Sequence, residues 1–96
     1  MEVSICEKFN EKWKEYLSEG YYGMDIESQE VSAYLDREFK HRLTKLNGFK
    51  FQQIKLKHGR ARFYFWVDED EDIDTFELEL EIENNINHII KTHNIV

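Results

Sequence analysis

The charged residues of this chain fall into blocks of opposite sign. VDEDEDIDTFELELEIE, residues 67–83, holds ten of the 20 acids and no Lys or Arg. So dense a set of oxygen ligands first suggests a hard cation. Asp68, Asp70, Asp72 and Glu79 fall at the first, third, fifth and twelfth places of an EF-hand loop. The sixth place, where the loop's sharp turn needs Gly, is Ile73, and the ninth is Phe76. Ligand spacing without that backbone geometry does not make a calcium site, so neither metal nor cofactor is expected. The other use of such a run is electrostatic. An electronegative surface speeds encounter with a cationic partner and disfavours anions.

The preceding block, residues 39–67, carries eight bases and no acid. Within it Lys55, Lys57, Arg60 and Arg62 could neutralise phosphates, while Tyr64 and Trp66 could stack on bases. Residues for catalysis are harder to find. His41, His58, His88 and His93 lack metal-ligand spacing, and Cys6 lies beside an apolar stripe. No carboxylate pair is marked out for acid–base work, and no Gly-rich loop could cradle a phosphate. The chain is therefore expected not to be an enzyme.

These groups need elements to position them. Ser4-x-x-Glu7 is a capping box, and Ile5, Phe9, Trp13, Tyr16 and Leu17 follow at helical spacing. Gly20-Tyr21-Tyr22-Gly23 interrupts them as a turn. A second helix is expected from near Ser28, with Glu27 and Glu30 at its positive end. Its stripe is Val31, Leu35, Phe39, Leu43 and Leu46, and Asn47-Gly48 stops it. FKFQQIKLK and RARFYFWV then flank His58-Gly59 as a hairpin, with Lys57 facing Arg60 and Ile54 facing Phe63. A shift of apolar phase between Phe51 and Ile54 predicts a bulge near Gln52.

TFELELEIE alternates with period two, which predicts a third strand beside RARFYFWV. Glu77, Glu79, Glu81 and Glu83 would then share a face with the hairpin's Lys and Arg and neutralise them in cross-strand pairs. The fold class expected is α+β over one domain, residues 1–96. Its helical part spans about 4–47, its hairpin about 49–67, its acidic strand about 75–83 and its C-terminal helix about 84–94. Two N-terminal helices pack on one face of a three-stranded antiparallel meander, and the short C-terminal helix closes it.

Hydrophobic content of 41% with 15% aromatics supports one modest core despite 34% charged residues. Acids and Lys in MEVSICEKFNEKW, together with a single Cys and no long apolar run, point to a cytoplasmic protein outside membranes. The net charge of −7 favours a basic partner over nucleic acid.

Two resemblances arise on these residues. Gln53-Ile54-Lys55-Leu56-Lys57-His58-Gly59-Arg60-Ala61-Arg62-Phe63-Tyr64 resembles a hairpin pattern, Q-I/V-K-x-K-x-G-x-x-R-F-Y, of small uncharacterised bacterial and phage proteins. The similarity covers residues 28–66 and implies a hairpin after a helical N-terminal half, with no activity attached. Such proteins often continue into an acidic helix, from which the alternating segment here departs. Tyr21-Tyr22-Gly23 ahead of a helix is similar to a stretch of the barstar family of acidic ribonuclease inhibitors. Three residues carry over no binding roles.

The function expected is a non-enzymatic binding protein, an immunity protein or inhibitor of a basic nuclease toxin or nucleic-acid-handling enzyme. Asp68, Glu69, Asp70, Glu71, Asp72 and Asp74 would bind the partner, with Tyr21 and Tyr22 as anchors. The alternative is a nucleic-acid-binding module using Lys55, Lys57, Arg60, Arg62, Tyr64 and Trp66.

Overall fold

In the computed structural model, which describes residues 3–20, 22–69 and 71–95, three helices pack with a three-stranded mixed sheet. In chain order these are α1 (Ile5–Lys12), β1 (Gly23–Met24), α2 (Gln29–His41), β2 (Lys50–Lys57), β3 (Arg60–Trp66) and α3 (Thr75–Thr92). The hairpin follows local chemistry closely. His58 and Gly59 both have positive φ, 55° and 77°, the signature of a two-residue turn whose twist matches the strands. Lys57 pairs with Arg60, Lys55 with Arg62 and Ile54 with Phe63, and the register shifts between Phe51 and Gln53. That shift is the expected bulge, and it keeps Phe51 and Ile54 on one face.

The third strand is not where alternation placed it. β1 pairs parallel to β2, Gly23 opposite Gln53 and Met24 opposite Ile54, and α2 makes the crossover between them. The sheet is therefore mixed, in the order β1-β2-β3, rather than an antiparallel meander. The expected acidic strand 75–83 and C-terminal helix 84–94 are one helix of 18 residues.

Two local effects outweigh the period of two in that segment. Asp74 caps the helix by accepting from the Glu77 N–H at 3.1 Å, and Glu and Leu are strong helix formers. Wound into a helix, the alternating apolar residues separate. Leu78, Ile82, Ile86, Ile89 and Ile90 face the core, while Phe76 and Leu80 are left 66% and 39% exposed.

The first two helices are shorter than their stripes. α1 ends at Lys12 and α2 at His41, and each continues as a 3₁₀ turn, Lys14–Tyr16 and Leu43–Lys45. Ser4 caps α1 and Ser28 caps α2 through their hydroxyls. Glu27 does not serve α2 as expected; its carboxylate accepts from the Ile5 and Cys6 N–H groups at the start of α1. The core centres on Phe39 of α2. Its ring meets Phe9, Trp13, Phe49 and Phe51 with centroids 5.2–5.4 Å apart, mostly edge to face.

Helix side chains close both outer strands. On β1, the Met24 N–H donates to Asn10 Oδ1 at 2.7 Å, and Asn10 Nδ2 donates to the Tyr22 carbonyl at 3.0 Å. Gly23 has φ +69° and lies so near Asn10 and Leu17 that a Cβ has no room. On β3, the N–H groups of Ala61 and Phe63 point away from β2. They donate to Asn87 Oδ1 at 2.7 Å and Glu83 Oε2 at 2.9 Å. Four helical residues advance about 6 Å and two strand residues about 6.7 Å. Glu83 and Asn87 therefore stay in step with the edge.

Glu83 is buried and its carboxylate serves a buried amide. Glu83→Ala should lower unfolding free energy by about 1–3 kcal/mol, the cost of an unpaired buried donor. Glu83→Gln retains an acceptor oxygen and should lose less than half of that. Urea denaturation of the two variants checks this, and equal losses would refute the edge-cap account.

Candidate functional site

Of the loop acids expected to bind a partner, Glu71 and Asp74 use their carboxylates within the chain. Asp68 donates its N–H to the Asn47 carbonyl at 2.8 Å, and its carboxylate packs against Gly48. Glu71 Oε2 accepts from the Asn47 N–H at 2.7 Å, and Asp74 caps α3. Asp68 and Glu71 thus fasten the loop to the turn before β2, and Asp74 fastens its other end to α3. Glu69 and Asp72 are exposed. Asp70 and Tyr21 lie outside the described residues. Tyr22 is 78% exposed and is placed by β1 and Asn10, whereas the turn at Asn47 places the loop.

Two of the four glutamates assigned to neutralise the hairpin do other work. Glu81 pairs with Arg42, which also bonds Glu38 at 2.6 Å, and Glu83 holds the β3 edge. Glu77 lies on the exposed side of α3. Glu79 is half-buried, and its carboxyl is pushed up by burial first and then by Glu83, against the pull of Arg62. The cross-strand ion pairs do not form, because α3 is not a strand of this sheet.

What remains is a sheet face with a single sign of charge. Phe51, Ile54, Ala61 and Phe63 are buried on the inner face. The pleat turns Gln53, Lys55, Lys57, Arg60, Arg62, Tyr64 and Trp66 outward, and none of them is buried. Register arranges these in rows from the hairpin tip: Lys57 beside Arg60, Lys55 beside Arg62, Gln53 beside Tyr64, and Lys50 beside Trp66. Four rows two residues apart span about 20 Å. Among the described residues no ion pair involves Lys55, Lys57, Arg60 or Arg62. Like charges directly opposite on a sheet are destabilising, and two such pairs are adjacent here.

Lys50 and Trp66 are tethered at the far end of this face. Lys50 Nζ donates to the Glu15 carbonyl at 3.1 Å, and Trp66 Nε1 donates to Ser18 Oγ at 3.2 Å with the ring 54% exposed. Lys50 was not assigned to this face from the sequence. Its place there follows from the bulge, which reverses the parity of β2 before Gln53.

The described residues include no cluster of three His, Cys, Asp or Glu side chains able to hold a metal, and no helix long and apolar enough to cross a membrane. Cys6 packs against the core from α1. Burial first, then the hydrogen bond and charge of Glu27, push its thiol up to about 12. At pH 8 its thiolate fraction should fall roughly a hundredfold or more below that of an ordinary thiol. Alkylation by iodoacetamide in the folded protein should be slowed to match, and should return to the rate of a free thiol in denaturant. A fast reaction in the folded state would contradict this placement.

No protein-family model matches this chain, and no curated protein sequence or solved structure is significantly similar to it.

Proposed function

We propose that the domain is a non-enzymatic binding module whose outer sheet face takes single-stranded nucleic acid. One observation carries this reading: two adjacent rows of like-charged cross-strand pairs, Lys57–Arg60 and Lys55–Arg62, stand on an open face with no carboxylate paired to them among the described residues. Such rows cost folding stability, and a polyanion laid across them offsets the repulsion. Tyr64 and Trp66 continue the same face. Bases could stack there while the backbone follows the cations. The span suits about four nucleotides, at the short end of single-stranded sites.

The acids flanking this face set its limits. Glu79 lies within electrostatic reach of Arg62, and Asp25 follows β1 on the far side of β2. The net charge of −7 disfavours long-range attraction, so binding should be modest and strongly dependent on salt. An immunity protein or inhibitor acting through the loop acids would rely in part on Glu71 and Asp74, which already hold the loop in place. The geometry supports that reading less well.

Fluorescence anisotropy with a labelled oligo(dT) or oligo(U) at low salt tests the proposal. Affinity should fall with log salt at a slope of about −2 to −3, the value for three or four phosphates on a single strand. The Lys55→Ala/Arg62→Ala pair should reduce that slope by about 1.4. Tyr64→Ala or Trp66→Ala should weaken binding by about 1–3 kcal/mol each while leaving the slope in place. Absence of binding by the folded protein at roughly 20 mM salt, where backbone contacts are strongest, would overturn the reading.

A further inference from the structure

The outer side of α3 has a pattern that a merely solvated helix does not need. Phe76 and Leu80, one turn apart, form an exposed apolar ridge. Beside it runs a ridge of exposed carboxylates, Glu77 without an ion pair among the described residues and Glu81 paired with Arg42. Beyond that lies a groove of about 280 Å³ with Leu46, Ile73 and Leu78 lining it and Asp74, Glu77 and Glu81 at its rim. Arg42 is the groove's one basic residue, and Glu38 and Glu81 already hold it.

From this we infer that the N-terminal half of α3 is a docking surface for a basic amphipathic helix of a protein partner. Charge complementarity selects the occupant. The carboxylate ridge repels phosphate, so neither nucleic acid nor an anionic bilayer suits this side. Apolar surface on both sides of the ridge suits a helix with two kinds of residue. Its Leu-like side chains lie against Phe76 and Leu80, and its Lys or Arg side chains cross Glu77 with their aliphatic stems over the groove. The i, i+4 spacing of Phe76 and Leu80 makes the ridge that helix–helix packing uses. This surface lies on a different element from the sheet face, so the two proposals stand or fall separately.

A labelled synthetic helix of Leu and Lys, with Leu at i, i+4 positions, serves as the probe. The wild-type protein should bind it with an affinity that drops at least tenfold on raising salt from low to physiological ionic strength. Phe76→Ser and Leu80→Ser change exposed side chains, so the fold should persist; each should weaken the probe at least fivefold. Glu77→Lys should weaken it further, and Lys55→Ala/Arg62→Ala should leave it unchanged. The same peptide with Glu in place of Lys should not bind. Probe affinity indifferent to Phe76, Leu80 and Glu77 would overturn the inference. So would self-association in sedimentation that Leu80→Ser abolishes, since the occupant would then be a second copy of the chain.

Discussion

The structure depends on closing the edges of a very small sheet. Three strands have two outer edges, and unpaired backbone groups at an edge must meet water, another chain or a side chain. Here side chains from two helices supply the partners. Asn10 serves β1 through both its oxygen and its nitrogen, and Glu83 and Asn87 serve β3 one turn apart. Those bonds set the rotation of α1 and α3 about their axes. The face of α3 that reaches the edge decides which residues enter the core and which remain outside. The rotation that puts Glu83 on Phe63 leaves Phe76 and Leu80 in solvent.

That rotation also separates the charges. Because α3 meets the hairpin at the β3 edge and lays no glutamate across its outer face, the sheet keeps a cationic outer face and the helix a carboxylate ridge. A net charge of −7 therefore describes neither surface. The hydroxyl of buried Tyr34 is also satisfied from α3, accepting from Nδ2 of exposed Asn85 at 2.9 Å.

Much of this was legible in the sequence where short-range chemistry decides. The hairpin register, its bulge and the Ser4 and Ser28 caps depend on turn residues and hydroxyls a few positions away. The basic and aromatic residues of the sheet face share a parity along each strand of the hairpin, opposite to that of buried Ile54, Ala61 and Phe63. The segment after Asp74 was misread because Phe76, Leu78, Leu80 and Ile82 fit a strand by period alone. Asp74-Thr75-Phe76-Glu77 carries a capping signal that competes with that period, and it prevails because the downstream Ile86, Ile89 and Ile90 extend the same inner stripe. β1 could not be read at all. Two residues, one of them Gly23, show no periodicity, and their partner lies thirty positions away at Gln53. The sequence gives no local sign of so distant a pairing.

The brevity of β1 bears on how the chain assembles and opens. Its two residues gain their ladder only when β2 already exists and when α1 brings Asn10 alongside, so the N-terminal third cannot organise by itself. The hairpin and α3 are joined by near neighbours in sequence and can form early, at little loop-closure cost. Native hydrogen exchange should then divide the molecule into two cooperative layers. Amides from α1 through β1 would exchange by a partial opening that leaves the hairpin and α3 protected.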